Sequence, residues 1–130
     1  MLVLLLKTDQ EMASLYLYEE NHKLAERSWK AGKNLAETIN LEIDGLLSAA
    51  NKTLNSLGGI AVYGGPGSFT GLRIGISVAN ALAYSLKIRV VKSSGDNWRQ
   101  QALKRLAHGD NEYIILPDYG APAKITAPRK

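Results

Sequence analysis

Residues 64–75 read Gly64-Gly65-Pro66-Gly67-Ser68-Phe69-Thr70-Gly71-Leu72-Arg73-Ile74-Gly75, and they join a strand-like segment to a long apolar helix. Four glycines and one proline among the first eight of these residues predict a turn whose backbone lies close to another segment or to a ligand. Ser68 stands where a helix N-cap would stand, because its hydroxyl oxygen can accept a hydrogen bond from the first-turn amides. We therefore expect a strand, a tight corner and a helix, in this order.

Two phosphate-binding motifs are superficially similar to this corner, and neither is present. The Walker motif requires Gly-Lys-Ser/Thr, whereas Gly71 is followed by Leu72 and Arg73. The dinucleotide-binding fingerprint requires a third glycine where Thr70 stands. The corner is therefore either a close-packing device between strand and helix or a phosphate site at a helix start, and the residues alone leave both interpretations open.

No complete catalytic or metal site is expected. A serine nucleophile would need Gly-x-Ser-x-Gly. In this chain the motif's second glycine, Gly71, comes one residue too late after Ser68. His22 and His108 lie far apart, and neither has a partner at the spacing of a helical metal pair. Cysteine is absent, which excludes thiolate chemistry and favours a cytoplasmic protein.

Composition predicts a single small domain. With 130 residues the chain is long enough to bury one core, and we expect this domain to span residues 1–116. Three prolines then predict an extended basic tail at 117–130. The first six residues are apolar but too few to span a membrane, so no membrane partner is expected. A net charge of +4 is compatible with RNA or an acidic protein, but it is also common for solubility alone.

Hydrophobic periodicity predicts an α/β domain with a mixed sheet. Three strands form a meander, and helices then alternate with strands. The expected order is that of a ribonuclease-H-like domain, with βα crossovers after the meander. The predicted strands are 2–6, 13–18, 24–29, 60–63, 88–91 and 113–116, and the predicted helices are 34–51, 68–86 and 98–106.

The helix after the corner is almost entirely apolar. Only a narrow polar strip interrupts its apolar surface, so we expect it to be covered on more than one side. A chain this short has few elements for the second side, which favours a helix from a partner. The alternative is a helix enclosed within its own domain. The apolar stripe consists of Phe69, Leu72, Ile76, Ala79, Ala83 and Leu86.

The string at 65–75, followed by the small-residue helix at 76–86, resembles the signature of the bacterial TsaB family. This resemblance implies a degenerate half of the actin and Hsp70 type of ATPase fold, in a short form that lacks the family's usual second half. It identifies the signature loop as Gly65, Pro66, Gly67, Ser68, Phe69, Thr70 and Gly71. It also implies a partner interface on the first two helices, at Leu35, Ile39, Ile43, Phe69, Leu72, Arg73, Ile76, Ala79, Asn80 and Ala83.

The resemblance implies a non-catalytic dimerisation subunit of the machinery that makes threonylcarbamoyladenosine beside the tRNA anticodon. Its partners would be a TsaD-like catalytic paralogue and a TsaE-like ATPase, with tRNA bound through the complex and a homodimer possible in isolation. The complex would use ATP and magnesium, but this chain alone would bind no cofactor. The family usually has Asp-Thr-Ser at the first turn, whereas this chain has Lys7-Thr8-Asp9, and Lys7 cannot ligate magnesium.

Two other functions are weighed against this one. The first is a small nucleotide-binding ATPase or kinase-like domain that holds phosphate at the start of the helix at Ser68. The second is an RNA-binding module that uses Arg99, Lys104, Arg105 and the basic tail. Calorimetry with ATP and magnesium would detect the first, and steeply salt-dependent tRNA binding would detect the second.

Overall fold

The computed structural model describes residues 1–117, which form a five-stranded mixed sheet with helices on both faces. The strands are β1 (Leu2–Lys7), β2 (Met12–Glu19), β3 (His22–Lys30), β4 (Leu57–Tyr63) and β5 (Arg89–Ser93). The α-helices are α1 (Leu35–Ala49), α2 (Phe69–Leu86) and α3 (Trp98–Ala107), and short 3-10 turns cover Gly32–Asn34 and Leu54–Ser56. The predicted order of elements is confirmed up to the end of α3.

The strands lie side by side in the order β3-β2-β1-β4-β5, so the first strand of the chain is the central one. β1 pairs antiparallel with β2, and β2 pairs antiparallel with β3, which forms the predicted meander. β4 pairs parallel with β1 and with β5, and α2 makes the crossover between β4 and β5. This arrangement confirms the predicted fold class.

The continuous apolar run in β1 follows from burial on both faces of the sheet. Leu4 and Leu6 pack in the larger core cluster, beneath α1 and α2. Val3 and Leu5 pack in the second cluster, beneath α3. The sheet is therefore the middle of three layers, with two helices on one face and one on the other.

One predicted strand boundary is wrong. The fourth strand was predicted to begin at residue 60, which would place Gly58 and Gly59 in the connection before it. In the structure β4 begins at Leu57, so both glycines lie inside the strand. A Cβ at Gly59 would lie 3.3 Å from a methyl carbon of Leu106 on α3. The pair therefore leaves room for side chains that close the second core cluster.

The predicted strand at 113–116 is wrong as well, since these residues form no regular element. The outer edge of β5 is already hydrogen-bonded by side chains: Asn111 Oδ1 accepts from Val90 N–H at 3.2 Å, and Glu112 Oε2 accepts from Lys92 N–H at 2.6 Å. A further strand therefore finds these amides occupied. The predicted tail at 117–130 lies outside the described residues, apart from Pro117.

The irregular segment 111–116 is instead attached to α2. The Asn80 side chain donates to the Ile115 carbonyl at 3.0 Å and accepts from the Ile115 amide at 2.8 Å. The Asn80 side chain thus bonds both backbone groups of Ile115, as the backbone of a neighbouring strand would do. Ile115 is 1% exposed and fills the edge of the larger core cluster. Asn80 therefore fixes the position of a segment that has no secondary structure of its own.

Candidate functional site

The corner between β4 and α2 is fastened to the turn between β1 and β2. Ser68 N–H donates to the Asp9 carbonyl at 2.9 Å. Thr8 Oγ1 donates to the Gly71 carbonyl at 2.7 Å, although the two residues are 63 positions apart. Ser68 Oγ accepts from Gly71 N–H at 3.5 Å, which confirms the predicted N-cap. The start of α2 is thus held in place by the turn that follows β1, the central strand of the sheet.

The first half of the corner is attached to β4 and β5. Gly64 N–H donates to the Ser93 carbonyl at 2.8 Å, and the Tyr63 hydroxyl donates to the Pro66 carbonyl at 3.1 Å. Gly65 has a φ of 107°, in the region that favours glycine, and the Gly65–Pro66 peptide bond is cis. Two hydrogen bonds therefore hold this half of the corner against the ends of β4 and β5.

The remaining glycines allow very close contact between α2 and the first turn. A Cβ at Gly71 would lie 2.0 Å from the Thr8 carbonyl oxygen, and one at Gly75 would lie 2.3 Å from Thr8 Oγ1. A Cβ at Gly67 would lie 2.4 Å from Asp9 Cβ. No side chain fits at these distances, so the glycines serve the close packing of helix against turn. This geometry supports the close-packing interpretation of the corner.

The buried acidic residue of the first turn, Asp9, is paired with a lysine. Asp9 is 5% exposed, and its Oδ1 lies 2.7 Å from Lys7 Nζ. Lys7 Nζ also lies 4.6 Å from the centre of the Tyr63 ring. Magnesium bound to a nucleotide requires free oxygen ligands, and the Asp9 carboxylate, which is paired with a lysine, does not supply one. The Lys7–Asp9 pair therefore belongs to the structure of the turn.

The described residues contain neither a candidate metal cluster nor a candidate membrane span. Within residues 1–117 no three acidic, histidine or cysteine side chains lie together in a way that could hold a metal ion. In the same part of the chain, every helix is too short or too polar to cross a membrane.

The outward surfaces of α1 and α2 form one continuous face, which we call the α1–α2 face. A groove of about 440 Å³ runs along it. Leu41 of α1 is 72% exposed on the outer side of its helix. Arg73 is the one charged residue that lines the groove within the described chain, and no carboxylate lines it. The groove is lined by Ala36, Thr70, Arg73, Ile74, Ser77 and Val78.

Most of the predicted interface residues lie beneath this face rather than on it. Phe69 is 44% exposed, Arg73 is exposed and Asn80 is partly buried and bonded to Ile115. The other seven pack against the chain's own sheet or its corner. These buried residues are Leu35, Ile39, Ile43, Leu72, Ile76, Ala79 and Ala83.

The apolar stripe of α2 thus packs on the chain's own core, and the narrower polar strip of the same helix faces outward. Ser77 and Ala81 are exposed on α2, while Ile74 and Val78 are half-buried toward α1. A substitution at Ile76, which is 4% exposed, alters the core before it alters any surface. The sequence pattern predicted that one stripe of this helix is covered, but the three-dimensional packing was needed to find the accessible side of the helix.

The basic residues proposed for RNA binding are partly engaged elsewhere. The Arg99 guanidinium lies 4.0 Å from the centre of the Tyr16 ring. Arg105 binds Asp110 and Glu112. Burial lowers the pKa of the Arg105 guanidinium, but the hydrogen bonds and charges of these two carboxylates outweigh burial and raise the pKa. Arg105 therefore mainly fastens the segment after α3.

Comparisons with known proteins show the family of the chain. The family model described as "TsaD: tRNA N6-adenosine threonylcarbamoyltransferase" matches residues 29–94, which include α1, the corner and α2. The TsaB protein of Haemophilus influenzae is 32% identical over 77% of this chain, and that of Bacillus subtilis is 32% identical over 69%. A TsaD protein of Geotalea daltonii is 44% identical, but over only 47% of the chain. The solved structure of YeaZ from Pseudomonas aeruginosa covers 82% of the chain with a TM-score of 0.68 and 30% identity. The chain belongs to the TsaB/YeaZ-like family.

This TsaB-like chain is much shorter than the relatives it matches. It spans 41% of the Haemophilus influenzae protein and 39% of the Bacillus subtilis protein. It spans 50% of the Pseudomonas aeruginosa YeaZ chain and 18% of the Geotalea daltonii TsaD protein. The printed names of the TsaB relatives assign those proteins to tRNA threonylcarbamoyladenosine biosynthesis.

Proposed function

We propose that this TsaB-like chain is a non-catalytic partner subunit in the formation of threonylcarbamoyladenosine in tRNA, where it binds and supports a TsaD-like catalytic subunit. The α1–α2 face is the proposed contact surface. The observation that carries the proposal is a groove with a single charged lining residue on the two helices that the family model matches. The core of a protein interface is typically poor in charge in the same way.

The side chains at the groove suit the close approach of another helix. Ala36, Thr70 and Ser77 are small, and Ile74 and Val78 supply apolar area at the base. Small side chains let a partner's backbone come near, and the half-buried aliphatic groups lose water when it does.

The proposed role is accessory because the corner supports positioning rather than chemistry. Its glycines pack against Thr8 and Asp9, and Lys7 pairs with the carboxylate of that turn. In our proposal ATP and magnesium are used by the assembled complex, which includes a TsaE-like ATPase and acts in the cytoplasm. tRNA is bound through that complex, and in isolation the α1–α2 face supports a homodimer.

The test is the affinity of the purified chain for the TsaD-like subunit of the same organism, measured by isothermal titration calorimetry. Ser77→Arg places a long charged side chain in the groove from an exposed position. We expect it to weaken binding by at least about tenfold, because a charge is left desolvated at the centre of the interface. Gln101→Arg is the matched control, since Gln101 is exposed on α3 at the opposite face of the sheet.

The control variant should bind the TsaD-like subunit within about twofold of the wild type, since the change lies outside the proposed contact. Both variants should keep the far-ultraviolet circular dichroism of the parent chain. Equal affinities for the parent chain and Ser77→Arg would remove the α1–α2 face as the contact surface.

A further inference from the structure

A second and larger groove lies at the C-terminal end of α2. Its volume is about 870 Å³, and its walls come from the last turn of α2, the start of β5 and the segment after α3. α2 has 18 residues and is therefore about 27 Å long. The second groove thus opens at the far end of the helix from the glycine corner.

Exposed aromatic and apolar side chains are concentrated at this groove. Tyr84 is 87% exposed, Tyr113 is 75% exposed and Ile114 is 68% exposed, and all three line it. Such a cluster of exposed large hydrophobic groups on a small protein typically marks a binding site. Tyrosine in particular combines a flat apolar ring with a polar hydroxyl.

Among residues 1–117, the charged side chains that line the groove are all positive. Lys87 and Arg89 line it, and no aspartate or glutamate does so within the described residues. Arg89 Nη1 donates to the Leu106 carbonyl at 3.3 Å, which holds the guanidinium beside the groove. A guanidinium has five N–H donors, so this bond leaves others for a ligand. The groove therefore favours an anionic ligand.

The wall that presents Tyr113 is held in place. Asn111 Oδ1 accepts from Tyr113 N–H at 2.8 Å and from Val90 N–H at 3.2 Å. Two residues further on, Ile115 is clamped by Asn80. The aromatic ring thus projects from a backbone that is bonded to β5 and α2, which lowers the ordering cost of a ligand that stacks on it.

We propose that this groove binds unpaired, single-stranded RNA. Bases stack on Tyr84 and Tyr113, and phosphates lie near Lys87 and Arg89. Unpaired RNA is recognised by this combination, because every base has a flat face for an aromatic ring and every linkage has a negative phosphate for a cation. A polyglutamate peptide would use the cations, but it has no flat apolar group to stack on the two exposed rings. The inference extends the proposed function, since it gives this chain a direct RNA contact away from the α1–α2 face.

The test is fluorescence anisotropy of a labelled oligouridylate with the purified chain across a series of salt concentrations. We expect Tyr84→Ala to weaken binding by about tenfold, which is the usual effect of removing one stacked aromatic ring. We expect Lys87→Gln to reduce the slope of log affinity against log salt by about 0.7, which corresponds to one phosphate contact with a single strand. Both side chains are exposed, so these variants should fold as the parent does.

Two matched controls lie outside the groove. Lys30→Gln removes an exposed cation from β3, and Leu41→Ala removes an exposed apolar side chain from α1; both should bind the oligouridylate like the parent. Equal binding by Tyr84→Ala and the parent would overturn the proposal. So would preferential binding of a labelled polyglutamate peptide, or of duplex RNA. Tyr84→Ala should still bind the TsaD-like subunit, and Ser77→Arg should still bind RNA. Each proposal can therefore be refuted without refuting the other.

Discussion

Gly71→Ala is the substitution that most directly tests how the corner is built. Gly71 lies in the first turn of α2, and its added Cβ would come within 2.0 Å of the Thr8 carbonyl oxygen. That oxygen belongs to the backbone of the turn after β1, so it cannot rotate away as a side chain would. The helix start and the turn must therefore move apart.

The cost has two parts. Forcing an additional methyl group into a closely packed contact destabilises a protein by about 1–3 kcal/mol. Separation also weakens the Thr8 Oγ1 bond to the Gly71 carbonyl at 2.7 Å, and a bond of this kind contributes about 0.5–1.5 kcal/mol. Together they predict that Gly71→Ala lowers the free energy of unfolding by about 1.5–4.5 kcal/mol.

The measurement is urea unfolding followed by circular dichroism, with Gly45→Ala as the matched control. Gly45 also lies in a helix, but its added Cβ would meet the end of the Arg27 side chain at 2.9 Å. That side chain is 43% exposed and can swing away. Because alanine favours a helix interior by about 1 kcal/mol over glycine, the control should be neutral or slightly stabilising.

The two variants together test whether the close contact between Gly71 and Thr8 constrains the fold. If Gly71→Ala unfolds within about 0.5 kcal/mol of the parent, the close contact with Thr8 is not a constraint, since that is the usual range for surface changes. If Gly45→Ala is as destabilising as Gly71→Ala, the effect belongs to any helical glycine rather than to the corner.

Two further substitutions test the clamp on the last segment and the buried ion pair. Asn80→Ala should lower the free energy of unfolding by about 1–3 kcal/mol, because the Ile115 amide and carbonyl lose their hydrogen-bond partners. Limited proteolysis should also cut segment 111–116 faster than in the parent. An unchanged cleavage rate would argue against the clamp. Lys7→Met should cost about 1–3 kcal/mol in urea unfolding, because it leaves the Asp9 carboxylate, 5% exposed, without its cation. Lys52→Met, which breaks a more exposed pair, should cost less than about 1 kcal/mol, and equal losses would contradict the importance of burial.

Much of the fold was predictable because its signals are local. Alternation in β2, the apolar run of β1 and the helical period of α2 each lie within one element. The cap at Ser68 was predictable for the same reason, since the N-cap and the amide that it accepts are three residues apart. Such patterns depend on the geometry of one element and not on its neighbours.

The accessible side of the candidate site was not predictable in this way. Ile76 and Ser77 are adjacent in the sequence, yet one is buried and the other lines the groove. An apolar stripe indicates that a helix is covered, but it does not say whether the cover is its own sheet or another chain. Here the chain's own sheet covers the apolar stripe of α2. The groove lies on the other side of the helix, and the residues that line it differ in size and polarity and follow no clear periodic pattern.

The amino-acid sequence by itself determined the elements up to the end of α3, their order and the family signature, because each of these is encoded by residues close together in the chain. The tertiary structure alone decided which atoms meet across large separations: Thr8 with Gly71 over 63 positions, and Asn80 with Ile115 over 35. Neither contact has a local pattern, since each depends on how the sheet brings distant backbone segments together. The same is true of the two grooves, because their walls come from elements that only the folded sheet makes neighbours.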